Sequence, residues 1–318
     1  MSRLLIIAFL LCVGCGEEAL YGIPNEEPSG QEVPTPEAET EIPPPPADQP
    51  GFDEAEPEAD PEPEDETDAP EEVDAPPPPP DDCEGISDLI YVIDKDNDSL
   101  YIFDPENNAL NFHGALDCAL FSGTPASMSV ARNGYAYIRY ADNTVYSVHL
   151  ETMTCTETAY SVDFGAFGMG YATAHSDTWE DSLYIANSNT LAKLNTDTWS
   201  LDTLGTLPSQ SELTGNGDGE LWAILPLETP ARLAHIDKNN AEVIGSISLP
   251  TFPDPYGIDT FAFATWGGDF YLFVRSYGMG SSTDIYRARA DGTFTMVLQD
   301  TGRNIVGAGV STCAPGQE

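Results

Sequence analysis

A short β-hairpin recurs five times in this chain, each time with an aromatic residue in its first strand. The first copy pairs Leu89-Ile-Tyr-Val-Ile-Asp94 with Ser99-Leu-Tyr-Ile-Phe-Asp104. Related pairs return at intervals of about forty to fifty residues, which indicates a stacked repeat architecture. Because each repeat has room for four short strands, the pattern predicts a β-propeller.

The second repeat shows its four strands most clearly, separated by turn residues that hairpins favour, such as Asn133-Gly134. From the axis outward, its predicted strands are Ser127–Ala131, Tyr135–Tyr140, Thr144–His149 and Thr154–Thr158. The later repeats follow the same order, and the outer strand of the third is predicted at Trp199–Thr203. Each repeat therefore corresponds to one four-stranded blade.

The first repeat lacks an inner strand, whereas the C-terminus has one strand to spare. Nothing before Leu89 resembles an inner strand, and the small residues of Asn304–Val310 suit a crowded axis. Placing that segment innermost in the first blade gives five blades of four strands and removes the exposed edges of an open sheet. We therefore predict an all-β fold: a five-bladed β-propeller over residues 83–318, closed by a C-terminal strand and preceded by a disordered stalk.

The first fifteen residues have the pattern of a bacterial lipoprotein signal peptide. Arg3 gives a positive start, and Leu4–Val13 is an apolar run too short to span a bilayer. The segment ends in Gly14-Cys15, which resembles a lipobox with Cys15 as the lipidated residue; an ordinary signal peptidase that cuts at the same bond would leave a free thiol. Because Gly16 follows the cysteine, we expect an anchor in the outer membrane, facing the periplasm or the cell surface. The lipid is the only membrane contact predicted.

Residues 16–82 have a composition typical of an unfolded spacer. They contain 24 of the 54 Asp and Glu residues, 18 of the 27 Pro residues and no Lys or Arg. Like charges repel and little apolar surface is available to bury, so we predict a disordered linker, with a docking tail for a basic partner as the alternative. The 30 acidic and ten basic residues that remain give the C-terminal domain a charge near −20, which argues against nucleic acid as a partner.

Six cysteines are present, and four remain after removal of Cys12 with the leader and lipidation of Cys15. An even number in an exported chain indicates disulfides, and the absence of a CxxC pair disfavours zinc. Closure by the C-terminal strand brings Cys313 beside Cys83, which predicts the bond Cys83–Cys313. The other two cysteines fall on the outer strands of adjacent blades, which predicts the bond Cys118–Cys155.

Four segments of the domain form a distinctive set: Phe167-Gly-Met-Gly170, Glu212-Leu-Thr-Gly215, Trp266-Gly-Gly-Asp-Phe-Tyr271 and Ile305-Val-Gly-Ala-Gly-Val-Ser-Thr-Cys-Ala-Pro315. With them, the chain resembles uncharacterised lipoproteins of myxobacterial type, in which a stalk rich in proline and acidic residues precedes a propeller-like domain. The resemblance covers the whole chain at the level of layout. It implies a lipid-anchored propeller and carries no particular activity.

Ligands of propellers usually meet the face where the loops from outer strands enter the central channel. These loops supply six candidate ligand-binding residues: Phe167, Glu212, Tyr256, Asp259, Arg303 and Asn304. Arg303 is one of only ten basic residues in an acidic domain. It is placed either to meet a ligand carboxylate or to pair with a neighbouring Asp or Glu.

A weaker pattern concerns calcium. Asp94, Asp96 and Asp98 alternate as the first ligands of a calcium loop do, but Ser99 replaces the expected glycine and Pro105 the expected glutamate. Turn formation is therefore the main interpretation of these aspartates, and a calcium site is the alternative. The sequence contains no G-x-S-x-G elbow and no phosphate-binding loop. We accordingly predict no cofactor and assign no catalytic residue.

Two hypotheses for function remain. A complete architecture without a catalytic constellation favours a non-catalytic binding or scaffold module at the cell envelope, with an envelope protein or glycan as its partner. The alternative is a hydrolase that acts on a glycan or lactone at the channel mouth. That reaction needs carboxylates that converge there, and Glu212 and Asp259 are the acids placed for it. The fold by itself does not choose between the two.

Overall fold

The computed structural model describes residues 83, 89–118, 123–174, 180–250, 257–277 and 282–316. These residues form twenty β-strands in five antiparallel sheets of four strands, so the predicted all-β five-bladed propeller is confirmed. Within these ranges, no helix is long and apolar enough to cross a membrane. The predicted leader with Cys15, the linker and Tyr256 lie outside the described residues.

Each sheet is one blade, and the strands are numbered in chain order. The inner strands, which surround the axis, are β4 (Pro125–Val130), β8 (Gly168–Thr173), β12 (Glu212–Gly215), β16 (Ile258–Trp266) and β20 (Ile305–Gly309). The second strands are β1 (Ile90–Asp94), β5 (Tyr135–Tyr140), β9 (Asp181–Ala186), β13 (Leu221–Leu225) and β17 (Asp269–Ser276). The third strands are β2 (Ser99–Asp104), β6 (Val145–His149), β10 (Thr190–Leu194), β14 (Arg232–Ile236) and β18 (Asp284–Ala288). The outer strands are β3 (Ala109–Ala115), β7 (Thr154–Glu157), β11 (Leu201–Thr206), β15 (Val243–Ser248) and β19 (Phe294–Leu298).

The C-terminal strand closes the ring as predicted. β20 pairs antiparallel with β1, and the first blade therefore has the order β20-β1-β2-β3. Each inner strand contacts the inner strands of the two adjacent blades, which makes the ring continuous. The axis is crowded: a Cβ on Gly307 would lie 3.0 Å from the backbone nitrogen of Met128 in β4. Small residues in β20 are therefore what allows it to sit innermost.

The core consists of five apolar clusters, each filling the wedge between two adjacent blades. Strand β1 shows how one strand serves two wedges, because successive side chains of a strand point to opposite faces. Its residues Tyr91 and Ile93 pack against the second blade, whereas Ile90 and Val92 pack against the fifth. A strand that is buried on both faces needs apolar residues at successive positions, which explains the apolar runs in the recurring hairpins of the sequence.

Both predicted disulfides are confirmed. Cys83 and Cys313 are bonded across 230 residues of sequence, with their Cα atoms 5.5 Å apart. This bond ties the start of the domain to the segment that follows the closing strand. Cys118, which follows β3, is bonded to Cys155 in β7, with a Cα separation of 5.0 Å. The second bond links the outer parts of the first and second blades.

The outer strand of the third blade begins later than predicted. Trp199 lies in the turn before β11, in a left-handed conformation with φ of 56°. Its backbone amide donates to the carbonyl of Asn195 at 2.7 Å, and the Asn195 side chain accepts from the amides of Asp197 and Thr198. Because this closed turn uses those amides, the ladder starts only at Leu201. Spacing alone did not reveal that a tryptophan takes a conformation more typical of glycine.

Candidate functional site

A cavity of about 200 Å³ lies at the mouth of the central channel. Its lining comes mainly from the first residues of the inner strands: Pro125, Ala126, Glu212, Thr260, Phe261 and Val306. Lys95, Thr124, Arg139 and Gln210 complete it. This is the face where the loops from outer strands enter the channel, as the sequence predicts for a ligand site. Pockets for drug-sized ligands usually measure about 300 to 1,000 Å³, so this one fits a single small group.

Glu212 is the residue that the sequence singled out and that the structure places in this cavity. The Ser127 hydroxyl donates to its Oε2 at 2.8 Å. Burial raises the pKa of Glu212 to about 8, although the Ser127 hydrogen bond, the Arg139 charge and a backbone hydrogen bond with Met169 act in the opposite direction. At neutral pH the carboxyl is therefore largely protonated and has a hydrogen to donate to a ligand.

Arg139 is a charged side chain in a buried position, with only 7% of its surface exposed. Its Nε donates to the Phe167 carbonyl at 2.7 Å, and its Nη1 donates to the Tyr140 carbonyl and to Asn143 Oδ1 at 3.2 and 3.4 Å. Nη2 donates no hydrogen bond to any described residue. Burial lowers the pKa of Arg139, yet a guanidinium stays charged in proteins. The cavity thus has a fixed cation in its wall.

Lys95 brings a second cation to the same cavity. It follows β1, and its backbone amide donates to the carbonyl of Asn304 at 3.0 Å, next to the start of the closing strand. Within the described part of the chain, neither Lys95 nor Arg139 forms a salt bridge. The position of Lys95 therefore depends on ring closure.

Phe167 and Asp259 lie beside the site without lining the cavity. Phe167 is 2% exposed, and its ring lies 5.4 Å below the Arg139 guanidinium. Together with its carbonyl, this ring holds Arg139 in place. The Asp259 carboxylate forms a salt bridge with Arg275.

Arg303 and Asn304 are used in a latch between the closing strand and the β1–β2 turn. Arg303 Nη1 lies 3.6 Å from Asp94 Oδ2, and its guanidinium lies 4.6 Å from the centre of the Tyr101 ring. The backbone amide of Asn304 donates to Asp94 Oδ1 at 3.1 Å, and its side-chain amide donates to Asp96 Oδ1 at 2.9 Å. Of the two roles open to Arg303 from the sequence, the structure shows pairing with a neighbouring aspartate.

The same contacts bear on the calcium alternative. Asp94 is 2% exposed and its Oδ1 also accepts from the amide of Asp96 at 3.2 Å, while Asp98 has a left-handed turn conformation with φ of 45°. Across the described ranges, no group of three or more His, Cys, Asp or Glu side chains is arranged to hold a metal ion. Asp94 and Asp96 thus take part in the latch, and Asp98 takes part in the β1–β2 turn.

A buried ion pair lies at the opposite ends of the inner strands. Arg132, after β4, donates to both oxygens of Asp181 at 2.9 and 2.8 Å. The hydroxyls of Thr173, at the end of β8, and Thr312, after β20, also donate to Asp181. This cluster joins the second and third blades to the closing segment, far along the strands from the cavity.

The sequence reasoning missed the two cations of the cavity. Arg139 carried a recognisable signal, because it is a charged residue within the otherwise apolar and aromatic strand Tyr135–Tyr140. Such a residue must find buried polar partners or a ligand. Lys95 carried no comparable signal, since it lies in an ordinary polar turn.

No protein-family model matches the sequence, and the search of curated proteins finds no match. Among solved structures, the chain is similar to a glycoside hydrolase of family GH43, engineered in its active site to show endo-xylanase and exo-arabinofuranosidase activity. The two chains are 10% identical with a TM-score of 0.41, and the similarity covers 54% of this chain. The matched region covers 41% of the length of the hydrolase chain.

Proposed function

We propose that this chain is a non-catalytic binding module, whose propeller takes one small polar group of a cell-envelope glycan or protein at the channel mouth. The observation that carries the proposal is the cavity in which Glu212, Arg139 and Lys95 meet. Arg139 lines this cavity and its Nη2 donates to no described residue, so this N–H is available to an external ligand. The size of the cavity favours a single residue of a larger ligand over a free cofactor.

The binding of an envelope ligand is testable with the full-length protein in detergent. Ala126 lines the cavity, and Ala126→Trp fills it with an indole ring. We expect the unchanged protein to retain a purified envelope polysaccharide or a solubilised envelope protein on an affinity column, and Ala126→Trp to lose at least about 90% of that retention, because the mouth is then occupied. Thr203→Trp, on the exposed outer strand β11, is the matched control and retains binding. Equal retention by all three proteins would contradict a site at the channel mouth.

The anchor at Cys15 is the second part of the proposal. The leader pattern supports lipidation at this residue and display from the outer membrane. In cells fed a labelled fatty acid, we expect Cys15→Ser to abolish labelling and to release the protein from the membrane fraction. Cys12 stands where a lipobox usually has leucine, so Cys12→Leu is the matched control and keeps both the labelling and the membrane attachment. Labelling that persists in Cys15→Ser would show that the lipid is attached elsewhere.

A hydrolase is the second candidate function, and one observation favours it. Glu212 has a pKa of about 8, which suits a general acid. Glycoside hydrolysis normally uses a second carboxyl group, however, and Glu212 is the one acidic residue that lines the cavity among the described residues. Asp259, the second acid named from the sequence, pairs with Arg275. Product formed from a retained glycan, and lost in Glu212→Gln, would favour the hydrolase; unchanged glycan after long incubation supports the binding module.

A further inference from the structure

The basic residues of this domain are few, and most are neutralised within it. Of its ten Lys and Arg residues, six form salt bridges with described residues: Arg132, Arg232, Arg275, Arg287, Arg289 and Arg303. A seventh, Lys238, donates to the carbonyls of Thr173 and Ala174. Two of the remaining three, Arg139 and Lys95, line the same cavity. In a domain with a charge near −20, such a convergence of cations requires a counter-charge.

Glu212, the one acid that lines the cavity among the described residues, interacts electrostatically with Arg139 but forms no salt bridge with either cation. Within the described ranges, no carboxylate lies within 4.0 Å of either cation. Glu212, the nearby acid, has its Oε2 occupied by the Ser127 hydroxyl and is largely protonated at neutral pH. Arg139 cannot rotate away, because Nε and Nη1 are fixed by the carbonyls of Phe167 and Tyr140. Its Nη2 is therefore a preorganised donor for an anion.

We propose that the ligand group taken by this cavity is a carboxylated sugar, such as a uronic acid residue at the end of an envelope glycan. This inference rests on the proposed function and narrows its ligand class. Arg139 and Lys95 meet the carboxylate. The hydroxyl of Thr124 and the amide of Gln210 are available to the hydroxyl groups of the ring. The Thr260 hydroxyl donates its hydrogen to the carbonyl of Ile305 at 3.2 Å, so it is available to the ring only as an acceptor.

Two further features favour an acidic sugar over an acidic peptide. Pro125, Ala126, Phe261 and Val306 give the cavity an apolar portion, against which the apolar face of a sugar ring packs. The cavity of about 200 Å³, as lined by the described residues, is of a size to hold one sugar ring. The negative charge of the domain also repels a long polyanion outside the cavity, which favours recognition of a single terminal residue.

Glu212 makes the binding sensitive to pH. It faces Ser127, Arg139 and the backbone of Met169, and Lys95 lies on the same cavity. In its protonated form the carboxyl donates a hydrogen bond to a ligand carboxylate, and in its ionised form it repels that carboxylate. Because the pKa of Glu212 is about 8, affinity is full at lower pH and falls as the pH rises through about 8. Glu212→Gln is neutral at every pH and removes this fall.

The test is calorimetric titration of the full-length protein in detergent with D-glucuronate and, separately, with D-glucose. We expect glucuronate to bind at least about tenfold more tightly than glucose, because only the carboxylate of glucuronate forms charge-assisted hydrogen bonds with Arg139 and Lys95. Lys95→Ala and Arg139→Gln each lower glucuronate affinity by about tenfold on the same grounds. Thermal unfolding checks that each variant is folded; if Arg139→Gln is not, Lys95→Ala carries the test.

Lys193→Ala is the matched control. It removes the same positive charge as Lys95→Ala, but Lys193 is exposed on β10 of the third blade. An equal loss of affinity in Lys193→Ala and Lys95→Ala would overturn the site. Equal binding of glucose and glucuronate overturns the inference but leaves the binding module intact. Binding of glutamate-containing peptides without binding of glucuronate overturns the inference and indicates that the ligand is an acidic protein segment. Loss of envelope retention in the unchanged protein is the outcome that rejects the proposed function itself.

Discussion

Replacement of both Cys83 and Cys313 by serine is expected to lower the free energy of unfolding by up to about 5 kcal/mol, because the bond closes a loop of 230 residues. The constraint acts mainly on the unfolded chain, which the bond prevents from opening fully. In the native ring the same bond holds the segment after β20 beside the start of the first blade. Denaturant unfolding of the oxidised protein and of the double variant measures the difference.

The second disulfide is the natural comparison for this prediction. Cys118–Cys155 closes 37 residues, so its removal by the matching double substitution is expected to cost about 4 kcal/mol. The ring-closing bond therefore has the larger effect, by about 1 to 2 kcal/mol. An equal or reversed order would show that the closing strand stays in place without its covalent tie.

Asp181→Ala is expected to lower the free energy of unfolding by about 3 to 5 kcal/mol, because it removes the carboxylate that compensates a buried arginine. Asp181 and Arg132 have side chains only 10% and 9% exposed. The substitution also removes the acceptor for the hydroxyls of Thr173 and Thr312, which lie on different parts of the ring. Thermal or denaturant unfolding checks the loss.

Asp202→Ala serves as the control for this effect. Asp202 is exposed on the outer strand β11, where loss of a carboxylate changes stability by less than about 0.5 kcal/mol. Asp181→Asn keeps an acceptor and removes the charge, and it separates hydrogen bonding from ion pairing. A loss below about 1 kcal/mol in Asp181→Ala would mean that the cluster does not fasten the ends of the inner strands.

The blades were predictable because local patterns specify them. A strand buried on both faces needs apolar residues at every position, and a hairpin needs turn residues between such strands. Both signals are contained within about ten residues, as in Tyr135–Tyr140 and the turn before it. The outer strand of the third blade was less certain because half of its residues are exposed, and the left-handed Trp199 displaced its start.

The candidate site was predictable only in part. Position along the repeat placed Glu212 at the channel mouth, and it does line the cavity. The same reasoning named Phe167, Asp259 and Arg303, whose contacts are instead with Arg139, Arg275 and Asp94. Loop position indicates which residues are near a mouth, but pairing with neighbours decides which of them remain available to a ligand.

The amino-acid sequence by itself determined the strands, the number of blades, the closing strand and both disulfides, because each follows from short-range pattern and from counting. The tertiary structure decided which charges are neutralised and which are left for a ligand. Arg139 and Lys95 are 44 positions apart and belong to different blades. They meet Glu212 only when β20 closes the ring and the inner strands converge, since electrostatic pairing depends on distance in space, which no local pattern encodes.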